Sequence, residues 1–351
     1  MLRQLALIAL PPLVCATSLH AVLNGPVAID LDMSSGEAMP RIVPAGTGGL
    51  GPADFQTTAG TPVNGINHDG VSSMITQTAG GNFISSAALL WTGRHILTAA
   101  HSVTADGSNN INVQVGRFTF TTPSGTFQPF FNASDITIHP NWTGDFGVGF
   151  DAAIIDIGQT LDASIPRYNI YTGAGVDAFD IEHTKIGFGR SGTGATGSDI
   201  VSGTKRYGQN HYEFLLGGSS NTVLLFDFDN GNPDNDFLGT LLPAAVDPAV
   251  TLGLGDLESN SAPGDSGGPT FIEDPNAPGS IVIAGITSFG STQGTAGTDI
   301  DDDLNSSFGE LSGDTNVTAI QDWIFATVPE PAAGPLLAAV LVLAFSYRRK
   351  G

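Results

Sequence analysis

Three short segments carry residues that could do chemistry together. Leu97-Thr98-Ala99-Ala100-His101 ends an apolar run, so His101 stands where a strand gives way to a loop. Phe150-Asp151-Ala152-Ala153-Ile154-Ile155-Asp156-Ile157 sets Asp151 at the head of a buried strand. Ala262-Pro263-Gly264-Asp265-Ser266-Gly267-Gly268-Pro269 sets Ser266 in a tight, glycine-bounded turn. A serine hydroxyl is a poor nucleophile at neutral pH. It needs a neutral imidazole as base, and that imidazole needs an acid to fix its tautomer and stabilise its cation. The glycines let the backbone turn its N–H groups toward a developing oxyanion. A strand-end histidine or a strand-heading acid is ordinary on its own. The order His, Asp, Ser, spaced by 50 and 115 residues around such a turn, points to nucleophilic acyl transfer.

The elements that must position these groups are short strands. The chain has 351 residues, of which 41% are hydrophobic and only 13% charged, with 46 Gly and 21 Pro. That is a turn-rich β composition, unlike a helical bundle or an acidic disordered polymer. From about Val71, runs such as HILTAA, INVQV, AAIIDIG and IVIAGITSF lie between Gly/Asn/Asp turns, which is the pattern of an all-β sandwich or barrel. One helix is expected over 315–326, with Val317, Ile320 and Ile324 on one face. The formal net charge of −22 argues against nucleic acid as a partner, since phosphate binding needs clustered Lys and Arg.

The Gly-Asp-Ser-Gly-Gly-Pro run at 264–269, with Thr-Ala-Ala-His before it and the Asp151 strand between, resembles the trypsin/chymotrypsin serine proteases. Ile136–Trp142, Ile283–Gly290 and Gln321–Ile324 extend the resemblance over roughly 66–325. It implies two antiparallel six-stranded barrels, about 66–165 and 166–314, closed by the helix at 315–326 and forming a protease domain over 66–326. It further implies Ser266 as nucleophile, His101 as general base and Asp151 as its orienting acid. The N–H groups of Gly264 and Ser266 would form the oxyanion hole, and Ser288 would support Asp151. Asn260 would floor the primary specificity pocket with Gly290 on its wall, implying a preference for uncharged residues before the cleaved bond. Asp265 would pair with a freed N-terminal amine, supplied by cleavage at Arg41-Ile42 or at Ile66. The implied activity is peptide-bond hydrolysis on protein or peptide substrates, with no required cofactor. An idle protease-fold binding module at the bacterial envelope is the alternative.

Two features depart from the family. The only cysteine is Cys15, so Ser102 and Ala262 stand where vertebrate members carry disulfide cysteines. Asp227, Asp229, Asp234 and Asp236 crowd into ten residues, and hard oxygen ligands at alternate positions suit a structural calcium ion; a solvated acidic turn is the other reading.

The ends read as addresses. Residues 1–21 have the charge, apolar run and small residues of a secretory signal peptide, and 22–65 read as a flexible leader or propeptide. Residues 327–351 join Pro329-Glu330-Pro331, an apolar segment and Arg348-Arg349-Lys350. This order resembles the PEP-CTERM sorting signal of Gram-negative bacteria. It implies export, a transmembrane segment and an exosortase-type partner.

Overall fold

The computed structural model describes residues 42–173, 181–216, 220–242, 252–292 and 297–329. The signal peptide, most of the apolar tail and residues 22–41 lie outside these residues. No helix among the described residues is long and apolar enough to cross a membrane.

The strands follow from alternation. A short β1 (Val43–Pro44) precedes the first sheet, which holds β2 (Val71–Thr78), β3 (Gly81–Leu89), β4 (His95–Thr98), β5 (Val115–Thr122), β6 (Gly125–Phe127), β7 (Phe130–Asn132), β8 (Ile136–Ile138) and β9 (Ala153–Asp156). In β5, Gly116, Phe118 and Phe120 are buried while their neighbours face outward, the period-2 pattern of a half-buried strand. The sheet order is β6-β5-β2-β3-β4-β9-β8, with β7 also on β5. Because only the 3-10 turn Ala133–Asp135 separates β7 from β8, one bent stretch bonds β5 with its first half and β9 with its second. That closes the sheet into a barrel of six strand positions.

The second sheet closes in the same way. It contains β10 (Glu182–Gly187), β13 (Arg206–His211), β14 (Phe214–Leu216), β15 (Val223–Asp227), β17 (Pro269–Glu273), β18 (Ile281–Ser291) and β19 (Leu311–Asn316), in the order β13-β10-β17-β18-β19-β15-β14. Only Tyr212 and Glu213 separate β13 from β14, so these too act as one bent strand. A hairpin, β11 (Ser191–Thr193) and β12 (Gly197–Ile200), stands apart, and β16 (Ser259–Asn260) pairs with β1. The described chain is therefore all-β in its sheets, with two antiparallel barrels. Among the described residues the α-helices are a one-turn α1 (Phe237–Leu241) and a C-terminal α2 (Val317–Thr327).

The helix α2 begins two residues later than expected. Asn316 caps it, its side chain accepting the Thr318 N–H at 3.1 Å. Val317, Ile320 and Ile324 are buried in the apolar seam between the barrels, together with Val71, Leu97, Ile154, Ile186 and Ile286. Just beyond the helix, the Pro329 carbonyl accepts the Trp91 indole N–H at 3.0 Å.

Residues 42–65 correct the expectation of a flexible leader. Ile42, Val43, Ala45 and Phe55 are all buried. Val43 pairs with Asn260, and the Ser191 hydroxyl donates to the Ile42 carbonyl at 3.0 Å. The partners of this segment lie some 150 residues away in the chain, so its own composition carries no sign of them.

Candidate active site

Asp151 is the geometric centre of the site. It is fully buried, and its Oδ1 accepts the His101 backbone N–H at 2.8 Å while Oδ2 faces His101 Nδ1 at 2.6 Å. The Ser288 hydroxyl donates to the same Oδ2 at 2.6 Å, and Thr315 Oγ1 donates to the Asp151 carbonyl at 3.0 Å. A carboxylate held on both oxygens keeps the imidazole in one tautomer, with Nε2 turned to the other side. His101 Nε2 is buried and, among the described residues, makes no hydrogen bond to Ser266 or to any other group. Such contacts often tighten only when substrate binds. Phe146 packs edge-on to the His101 ring at 5.4 Å, fixing it from the side.

The backbone before Asp151 is forced into an unusual shape. Phe150 has φ +63°, uncommon for a bulky residue. Its ring stacks on His139 at 4.8 Å, and His139 in turn meets Trp323 of α2 at 4.9 Å. The Ile136–Trp142 segment and the C-terminal helix thus clamp the turn that presents Asp151. Burial pushes the His139 imidazole down to about 4, so it serves as a neutral packing element.

Ser266 is reached from the other barrel. Its carbonyl accepts the Ser86 N–H at 2.8 Å. Gly267 has φ +77°, and a Cβ there would fall 2.0 Å from Thr98 Oγ1 and 2.7 Å from the Ala99 nitrogen. Only glycine lets the turn around Ser266 press so closely on the strand that leads to His101. Gly264 also has positive φ, at +105°. In the turn, Asp265, Gly267 and Gly268 each donate a backbone hydrogen bond, to Ala262, Thr287 and Asp265 respectively. Among the described residues the N–H groups of Gly264 and Ser266 donate no backbone hydrogen bond, so both donors are unused.

Ser86, which the sequence patterns did not flag, and Asp265, which they did, hold this turn. The Ser86 hydroxyl donates to the Gly264 carbonyl at 2.8 Å and accepts the Phe188 N–H at 3.0 Å, so it ties the turn to both barrels. Asp265 is buried, its Oδ1 accepting the Gly189 N–H at 2.7 Å and Oδ2 the Ala262 N–H at 3.3 Å. Three of these four contacts cross 76 residues or more, and no local signal announces them.

Asn260 is buried at 1% exposure, its Oδ1 accepting from Ser312 Oγ at 2.5 Å and from the Ser261 N–H at 2.9 Å. Its Nδ2 has no partner, so the amide offers a donor and no charge. Gly290 lies opposite Ser312 in the β18–β19 ladder, which puts it beside Asn260. Of the two expected activation points, Ile66 sits in a turn closed on Val63, whereas Ile42 leads directly into the β1–β16 pair.

The acidic run divides. One carboxylate oxygen each from Asp227, Asp229 and Asp236 lie within 4.8 Å of one another, and all three residues are buried. Asp234, expected among the ligands, is exposed and outside this group, because the turn at 231–234 carries it toward solvent. The remaining acids join a cluster that a reading of the run alone does not reveal. Glu213 and Glu258 are both buried, and burial together with the neighbouring carboxylates raises both well above the usual range.

Comparison with known proteins bears on the first barrel most directly. The trypsin family model matches residues 62–209, a span that includes His101 and Asp151 and ends before Ser266. No curated protein matches the chain. Among solved structures, one titled HL collagenase structure at 1.7 Å resolution is similar at 15% identity with a TM-score of 0.46, covering 78% of this chain and 96% of that one.

Proposed function

We propose that this chain is a serine endopeptidase working through an acyl-enzyme. The observation that carries the reading is the triple anchoring of Asp151 by the His101 N–H, the His101 ring and the Ser288 hydroxyl. An acid so fully engaged at the end of a buried strand has little structural need for a histidine ring, but a general base needs that acid. Ser266 Oγ attacks the scissile carbonyl carbon as its proton passes to His101 Nε2. The carbonyl oxygen, now an anion, is received by the Gly264 and Ser266 N–H groups. Loss of one such donor typically costs about 3–4 kcal/mol of transition-state stabilisation. Collapse of the tetrahedral intermediate breaks the C–N bond, and the imidazolium gives its proton to the leaving amine. Water then repeats the sequence on the ester, returning Ser266 and His101 to their starting states.

The substrate on this reading is a polypeptide with an uncharged residue before the cleaved bond, its side chain meeting the free Nδ2 donor of Asn260. Activation follows cleavage after Arg41, a choice supported by the seating of Ile42-Val43 beside β16. Export and envelope attachment through an exosortase-type pathway complete the proposal, on the strength of the two terminal segments.

A fluorophosphonate probe tests the chemistry. After processing at the N-terminus, the full chain is expected to be labelled at Ser266, and Ser266→Ala or His101→Ala to lose at least about 10³-fold in peptide or ester hydrolysis. A processed, folded chain that resists the probe and hydrolyses nothing is the idle binding module instead.

A further inference from the structure

Far from the nucleophile, at the end of β15, five carboxylates converge in the protein interior. Asp227, Asp229, Glu213 and Glu258 are at most 1% exposed, and Asp236 is 9% exposed. Glu258 is accounted for by the backbone. Its Oε1 accepts the Asp229 N–H at 3.0 Å, and its Oε2 accepts those of Asn230 and Leu254, both at 3.1 Å. The others are not. Asp227 uses one oxygen for the Leu238 N–H at 2.6 Å and leaves Oδ1 unbonded. Asp229 uses one for the Gly231 N–H at 2.7 Å and leaves Oδ2 unbonded. Glu213 comes from the separate β13–β14 bend and has neither oxygen hydrogen-bonded, although Asp227, Glu258 and Asp229 act on it electrostatically.

Buried carboxylate oxygens without donors are rare, because desolvation penalises them heavily. Protonation relieves the charge but still leaves an O–H and a lone-pair oxygen in need of partners. A cation relieves both at once. We propose that Asp227, Asp229 and Asp236 ligate a calcium ion, with Glu213 completing the anionic cage from the opposite strand. The ligand spacing fits. Calcium–oxygen bonds of about 2.4 Å make a coordination sphere about 4.8 Å across, and the three aspartate oxygens lie within 4.8 Å of one another. The donor set is oxygen alone, which suits a hard cation and not zinc or copper. Magnesium gives up its waters reluctantly, whereas calcium accepts many carboxylate ligands in a nearly dry site.

The site also has a structural consequence. Asn210 Nδ2 donates to the Asp227 carbonyl at 2.7 Å and to the Ser259 carbonyl at 3.2 Å. Ser259 and Asn260 form β16, so the ion braces the strand that carries the pocket amide and receives β1. The proposal stands independently of whether the chain is catalytic.

The test uses the full chain stripped with chelator and titrated with calcium chloride in a calorimeter, with thermal melting in parallel. One ion per chain is expected, with a rise in melting temperature that magnesium at equal concentration does not reproduce. Asp227→Asn and Glu213→Gln each remove a repelling charge, so both are expected to fold in chelator at least as stably as the parent. Each is expected to weaken calcium binding by about tenfold or more. Identical melting curves in chelator and in millimolar calcium overturn the proposal. So does calcium affinity that is unchanged in both variants, which places any bound ion elsewhere.

Discussion

The two barrels share a topology and differ in what fills them. The first is lined by Met74, Leu89, Ile96, Phe118, Phe120, Phe131 and Ile155, with Phe118 stacked on Phe131 at 4.8 Å. The second has a smaller apolar cluster, Tyr171, Tyr212, Leu224, Phe226, Ile272, Val282 and Ala284. Beside that cluster lies a buried ion pair. Lys185 Nζ donates to both oxygens of Asp314 and to Thr270 Oγ1, Asp314 also accepts from Tyr212 and Thr270, and Lys185 sits over the Phe226 ring at 4.4 Å. Burial lowers the Lys185 pKa, and Asp314 opposes that shift. His183 is also buried, with burial driving its imidazole well below the ordinary value. The second closed sheet therefore adds a buried ion pair to its apolar filling. The lesson is that barrel closure sets the hydrogen-bond ladder but leaves the filling free. A chain whose only cysteine is Cys15 stabilises its two halves by different physics.

The comparison breaks most sharply at Asp314. Asp314→Ala strands the Lys185 ammonium in the core and is expected to cost about 3–5 kcal/mol in denaturant unfolding. Replacing both partners, as Lys185→Met with Asp314→Leu, should recover much of that loss, because the pair's own net contribution is small once desolvation is counted. A single variant as stable as the parent would mean that the second barrel does not depend on charge matching.

A second test uses pH. Burial raises Asp229 to about 7, with Asp236 adding to the shift, and raises Glu213, Asp227 and Glu258 further. With its folded pKa above its unfolded one, Asp229 binds a proton in the native state that the unfolded chain has already released. Its contribution to stability is full at acid pH and falls as pH rises from about 4 to about 7. Melting temperatures of the parent minus those of Asp229→Asn, both in chelator, should fall over that window. The subtraction cancels buried histidines such as His139, whose lowered pKa values act in the opposite direction. A flat difference would show that these acids do not titrate as a buried group.

In the first barrel the expected effects are smaller and independent of pH. Ile155→Val removes one methylene from a packed interior and should cost about 0.5–1.5 kcal/mol, equally in acid and neutral buffer. A cost that changed with pH would blur the division between the barrels. The smallest effect belongs to the surface of that same barrel. Arg94 and Asp156 pair with side chains 42% and 36% exposed, so Asp156→Ala should cost at most about 1 kcal/mol and less in high salt. Set beside Asp314→Ala, it measures how far burial, and not pairing as such, sets the value of a charge.

Much of the site was legible in the linear chain because its chemistry is local. The glycines around Ser266 are required by backbone angles at Gly264 and Gly267, and such angles belong to single residues. His101 and Asp151 stand at strand ends, where apolar periodicity stops and a polar group can face a cleft. The α2 face repeats every three to four residues, so Val317, Ile320 and Ile324 announced themselves. Tertiary structure alone decided the rest, since the deciding contacts join distant segments. Ser86 is an unremarkable strand serine until the Gly264 carbonyl and the Phe188 N–H arrive beside it. Residues 42–65 looked like a leader until β16 received β1. The acids at 227–236 read more readily as a solvated turn than as a metal site, because a run of aspartates looks the same in water and in a core. Glu213 from the β13–β14 bend and Glu258 from the turn before β16 are buried with Asp227, Asp229 and Asp236. Sequence fixes what each residue can do within its own turn or strand, whereas burial is a property of what packs over it, and that is set only when the sheets close.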